Sequence, residues 1–190
     1  MRPMTTLITG ETWGENVESV RAYLLAQAEQ PLPSLRATLE ATRQEFRAAV
    51  DGVGETQAQF TPGTGEGEDA WGIAEVLRHI ASIEPIMADR VRRLGQGEPT
   101  DSLTQTHPGY LKAVDSRRLA DLRPLLDHSY AQLLSAIDAI DGHERLDTQT
   151  PHRRFGPLNC RGWVALHTLH VQDHTRQITR LKQAPGYPGS

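Results

Sequence analysis

The chain has 190 residues, 37% of them hydrophobic and 23% charged, which is enough for one ordinary domain with a real core. A formal charge of −4 argues against sequence-independent nucleic-acid binding, which needs a basic surface to neutralise phosphates, and no Lys/Arg run suggests a membrane surface. The single cysteine, Cys160, excludes an intramolecular disulfide; together with the absence of a membrane-length apolar stretch, or of a signal-like one in Met1 to Gly10, it points to a soluble, cytoplasmic protein.

Aromatic residues make up only 5% of the chain, and alternating β-branched runs are scarce, so burial must come from Leu, Ile, Val and Ala at helical spacing. In chain order, Val17, Val20, Leu24 and Ala28 predict a short amphipathic helix over 15–29, ended by Pro31 and Pro33 and treated as an appendage. Ser34 then suits the N-cap of a first long helix carrying Leu35, Leu39, Thr42, Phe46, Ala49 and Val53, with Gly52 and Gly54 at its end. The glycine-rich stretch from Thr61 to Asp69 reads as a loop that delivers the chain to Trp71. From there to Leu94 the residues Ile73, Val76, Leu77, Ile80, Ile83, Met87 and Val91 trace one stripe, with Pro85 bending the helix without ending it.

Residues 95 to 114 read as a long connection of the kind that often lies over a site. A third long helix is expected from Asp115 or Ser116 to Gly142, with Pro124 marking a kink or a second start. Another irregular link, 143–162, leads into a fourth helix from about Trp163 to Lys182. The reading is all-α: an antiparallel four-helix bundle with long connections and a short extra N-terminal helix. In domain terms it divides into an extension at 1–33, the bundle at 34–183 and a tail at 184–190.

The last helix carries the chemistry. Counting about 100° per residue from Trp163, Val164, Leu166, Val171, Ile178 and Leu181 define the core face, and His170, His174 and His167 fall into its middle, at about −20°, 20° and 40°. A buried neutral imidazole must have its nitrogens hydrogen-bonded or metal-bound, since leaving them bare costs roughly 1–3 kcal/mol. Residues i and i+4 stack one above the other, so His170 and His174 can converge on one ion. A core histidine satisfied by a carbonyl or carboxylate is the plainer reading, and the pair needs a third ligand from elsewhere. His79, at the flank of the second helix's apolar stripe, is the natural candidate; Glu84, on the other flank, can orient a histidine or act on substrate. Three histidines would leave one coordination position open, the mark of a catalytic or substrate-binding site.

Three pieces in this order, namely Trp71 with its helix and His79, the loop HRRFGPLN from His152 to Asn159, and HVQDHTRQI from His170 to Ile178, make the chain resemble the DinB-like superfamily over about residues 34–183. That superfamily includes metal-dependent hydrolases and bacillithiol-type thiol S-transferases. The resemblance implies a four-helix bundle, often a homodimer, with a divalent ion such as zinc or nickel on a triad that falls at His79, His170 and His174. Many members have Asp directly after the first histidine of the last-helix pair; here that place is Val171, and the nearby acid is Asp173.

His167 reads as a spare ligand, a substrate contact or a packed core residue. Cys160 sits where a helix N-terminus would depress its pKa, against the plainer reading of a buried thiol. His107, His128, His143 and His152 receive no role. The expected function is a metal-dependent enzyme, of thiol S-transferase or hydrolase type, acting on a small molecule such as a low-molecular-weight thiol, with no nucleic-acid or membrane partner. The competing functions are a non-enzymatic metal-binding or stress-response protein, and a plain helical module whose histidines bond one another. HExxH, paired ExxH, GxxxxGK[ST], CxxC and GxSxG are all missing, which leaves the histidines as the one constellation with chemistry.

Overall fold

Prolines open the first long helix where the sequence reading had them closing the one before. In the computed structural model, which describes residues 16–63, 67–98, 100 and 118–189, α1 spans Val17–Ala28 and α2 spans Leu32–Val50. The helix therefore begins ahead of the expected Ser34 cap, with Pro31 at the N-cap and Pro33 in the first turn. Their missing N–H groups would have no intrahelical partner there in any case. A single turn, α3 (Glu55–Ala58), and a 3-10 turn at Gly67–Ala70 precede α4 (Ile73–Gly95). Pro85 lies inside α4 and does not end it.

Helix α5 runs Leu119–Asp138 straight through Pro124; the expected start at Asp115 or Ser116 lies outside the described residues, as does most of the 95–114 connection. The link to the last helix is not wholly irregular, because Thr150–His152 (β1) and Gly156–Leu158 (β2) pair antiparallel. Helix α6 begins at Cys160, three residues before the predicted Trp163, and ends at Leu181. The Asn159 side chain accepts from the Gly162 N–H at 3.0 Å, an N-cap that outweighs the helix-breaking tendency of Gly162.

The four long helices form a bundle with two apolar half-cores. One contains Leu35 and Leu39 of α2, Met87, Val91 and Leu94 of α4, Leu133 and Ile137 of α5, and Trp163 and Leu166 of α6. The other contains Phe46 and Val50, Ile73 and Leu77, Leu122 and Leu126, and Ile178 and Leu181. Sharing of halves fixes direction: the start of α2 meets the start of α6 but the end of α4, and the ends of α4 and α5 lie together. Gly95 of α4 abuts Ile140, just past α5, so closely that a Cβ at Gly95 would collide with the isoleucine side chain. Helices α4 and α5 are thus parallel neighbours, as are α2 and α6, and the two pairs run in opposite senses. A helix pair in parallel needs a long return, which residues 96–118 provide.

Helix α1 is integrated rather than appended. Val20 and Leu24 are fully buried in the first half-core, and Arg21 bonds the Phe155 carbonyl of the hairpin. Among the described residues no helix is long and apolar enough to cross a membrane.

Candidate metal centre

Helix α6 winds its residues so that positions 163, 167, 170, 174 and 177 line one strip, and α4 runs antiparallel beside it. His79 is thereby brought against His170 and His174. The Nε2 atom of His170 lies 3.1 Å from Nε2 of His79 and 2.9 Å from Nε2 of His174, and the three ligand atoms lie within 4.8 Å of one another. A zinc ion with bonds near 2.0 Å in a tetrahedral shell holds its ligand nitrogens roughly 3.3 Å apart, so the spacing is close to what one ion requires. His79 and His174 are buried, and His170 is partly exposed.

The protonation of the cluster follows from its neighbours. Gln177 donates through Nε2 to the Glu68 carbonyl at 2.6 Å, which turns its Oε1 toward His174 Nδ1 at 2.7 Å. That oxygen can only accept, so the His174 hydrogen sits on Nδ1 and the lone pair on Nε2 faces the other two rings. The same Glu68 carbonyl also accepts from the Trp71 N–H. The Trp71 indole lies nearly parallel to His174, with centroids 6.2 Å apart, and tilted over His79 at 5.0 Å. Burial pushes the His79 imidazole down to about 3 and holds His170 and His174 below their ordinary value, each cation also disfavoured by neighbouring histidines.

At the start of α4, Glu75 bonds back to the Gly72 N–H at 2.7 Å. The Phe60 carbonyl approaches Gly72 so closely that a side chain there would collide with it. This contact sets the position from which α4 carries His79 inward.

Next to the triad, between the two half-cores, each bundle helix contributes one buried polar residue. Arg43 of α2 pairs with Glu84 of α4 at 3.0 Å and bonds the Leu126 carbonyl, and Ser129 of α5 donates to the other Glu84 oxygen. His167 of α6 completes the layer, with Nε2 3.5 Å from Glu84 Oε1. Glu84 and His167 are both 0% exposed, so Glu84 does not lie at the flank its sequence position suggests, whereas His167 is buried as its place on the core face of the last helix implies.

The remaining sequence candidates fall away from the triad. Cys160 is fully buried at the first position of α6, and burial pushes its thiol up to about 11, against the depression expected from a helix N-terminus. Asp173 lies 3.8 Å from Arg176 on the flank of the helix, and Val171 is buried in the second half-core. Gln177, not singled out by the sequence motifs, takes the supporting place beside His174. It falls at about −40° on the same helical count, so its face was readable in advance. His152 stacks on Phe155 beside Trp163, His128 and His143 are exposed, and His107 lies outside the described residues.

A model of the DinB superfamily matches residues 38–178. The chain belongs to the DinB superfamily. This is a metal-binding superfamily, and the chain carries a three-histidine group compatible with that property. Among solved structures it is similar to TT2238, described as a four-helix bundle protein. The TM-score is 0.54 at 23% identity, over 80% of this chain and 98% of that one, a likeness in fold. No curated protein matches this chain.

Proposed function

We propose that this DinB-superfamily chain is a metal-dependent enzyme whose divalent ion, zinc or nickel, is held by Nε2 of His79, His170 and His174. One observation carries the reading. His170 Nε2 lies within bonding distance of Nε2 of both His79 and His174, His174 presents a lone pair there, and burial disfavours the cationic form of each ring. A neutral Nε2 carries either a hydrogen or a lone pair, so a hydrogen bond can satisfy one of the two contacts and leaves the other opposed. A cation at the centre takes three lone pairs at once, which favours the metal over a purely hydrogen-bonded module.

When bound, such an ion supplies Lewis acidity that lowers the pKa of a coordinated water or thiol. The chain's own part is to aim and shelter. Gln177 fixes the His174 tautomer through a chain anchored at the Glu68 carbonyl, Trp71 walls one side, and partly exposed His170 marks the open side. That openness favours a small-molecule enzyme, of thiol S-transferase or hydrolase type, over a structural ion. A cytoplasmic homodimer belongs to the same reading.

Mass spectrometry of protein purified without a histidine tag tests it, beside His79→Ala and His174→Ala. About one equivalent of divalent metal in the wild type, largely lost in both variants, is the expected result. A wild type that takes up neither zinc nor nickel overturns it.

A further inference from the structure

His167 is the one member of the buried polar layer left without a hydrogen bond. Its ring is 0% exposed, and among the described residues neither Nδ1 nor Nε2 has a hydrogen-bond partner. Its neighbours are otherwise engaged: Glu84 takes Arg43 on one oxygen and Ser129 on the other. A fully buried imidazole with two bare nitrogens is unfavourable by about the strength of an ordinary hydrogen bond at each. A phenylalanine or leucine in its place would carry no such penalty.

Two observations bear on the missing partner. Nε2 points to the Glu84 carboxylate across 3.5 Å, too long for a good bond but close enough to favour the ring hydrogen on that nitrogen. Nδ1 is then a lone pair with no donor. The ring is also the triad's immediate neighbour, one turn from His170 with centroids 6.3 Å apart.

We propose that His167 is the hydrogen-bond acceptor for a protic ligand, water in the resting protein, at the coordination position the triad leaves open. This rests on the metal reading above and adds a discrimination to it. A ligand that carries a hydrogen on its ligating atom is held by Nδ1, whereas an anion with only lone pairs is not. Arg43 and Ser129 serve this by keeping Glu84 in place, and Glu84 keeps the ring hydrogen away from the ligand.

Cobalt(II) loading of the full chain, followed by azide titration read in the visible absorption of the ion, tests the proposal. Wild type, His167→Phe and His167→Asn are each expected to bind one cobalt with affinities within about threefold, since His167 is not a ligand. Azide should bind His167→Phe about tenfold more tightly than wild type, because the water it displaces has lost one hydrogen bond. The Asn amide oxygen stands near the place of Nδ1 and should return azide affinity to within about threefold of wild type. His167→Leu repeats the test if the Phe variant does not fold.

The metal-free Phe or Leu variant should also melt above wild type; a lower melting temperature would mean that the ring has structural partners and would sink the idea. Equal azide affinity in all proteins overturns it while the metal site stands. Loss of cobalt from His167→Phe makes His167 a ligand and overturns it too. No cobalt uptake by the wild type removes the metal reading, and this inference with it.

Discussion

At the residue scale, the proposed metal centre depends on groups that would touch no ion. Gln177 is the clearest case, because its amide both fixes a tautomer and ties α6 to the turn before Trp71. Gln177→Leu is expected to weaken metal affinity about 10- to 100-fold with the helical content unchanged, as removal of an orienting partner usually does. Competition against a chromophoric chelator would measure it, and affinity within twofold of wild type would refute the role. Cys160 is expected to be inert: with its thiol raised to about 11, it should react with a thiol reagent only on unfolding, and Cys160→Ala should keep its metal. Rapid labelling of the native protein would contradict this.

Such residues were partly readable in the sequence. The inward face of α6 and its histidines followed from periodicity alone, and His79 from its place beside an apolar stripe. Arg43 and Ser129 did not, because each looks like an ordinary polar position on its own helix. Only the mutual placement of four helices shows them to be buried.

At the element scale, the polar layer makes the helices choose their register. Arg43 reaches Glu84, and Glu84 reaches Ser129, only when α2, α4 and α5 sit at one particular height. Glu84→Ala leaves the Arg43 guanidinium buried without its carboxylate, and is expected to destabilise by about 3–5 kcal/mol in denaturant unfolding. Replacing both, Arg43→Met with Glu84→Leu, should recover most of that loss, because a buried ion pair exchanged for apolar side chains is often near neutral. If the double variant is no more stable than the single one, the pair is not the reason for the loss. The same scale explains what sequence reading missed in the connections. By composition Pro31 and Pro33 read as a stop, yet they start α2, and Gly162 reads as part of a loop, yet the Asn159 cap draws it into α6. Composition weighs residues singly, whereas caps act across three positions. The parallel pairing of α4 with α5 was likewise invisible, because an amphipathic stripe does not say which neighbour it faces or in which direction that neighbour runs.

For the whole molecule, buried neutral histidines couple folding to pH. His79 is pushed down to about 3 and His152 to about 4, the latter by burial and then by nearby arginines including Arg90; His170 and His174 are displaced in the same direction. In the unfolded chain each titrates near 6.5. Above about 6.5 both states are neutral and the histidines add no pH dependence. As pH falls from there toward 4 the unfolded chain takes up protons that the folded one refuses, so the metal-free protein loses stability. Each such histidine contributes up to about 1.4 kcal/mol per pH unit in that window. Denaturant midpoints at pH 7.5, 6, 5 and 4 would show the decline, and His152→Phe should flatten part of it. A midpoint independent of pH across this range would mean that these rings are protonated in the fold.

The division of the core has a further consequence, in the order in which the molecule comes apart. Helices α4 and α6 each cross from one apolar half to the other, and a layer of charged and polar side chains is the seam between them. His79 and His174 lie on the helical turns that carry Leu77, Ile80, Val171 and Ile178 of one half, so without an ion three neutral rings are crowded together beside it. Amide hydrogens in 73–81 and 171–181 should then exchange earlier than those in 87–94 and 163–169, as separate cooperative units do. A bound ion would clasp α4 to α6 beside the seam, and adding metal should slow exchange most in the first set, turning two loosely joined units into one.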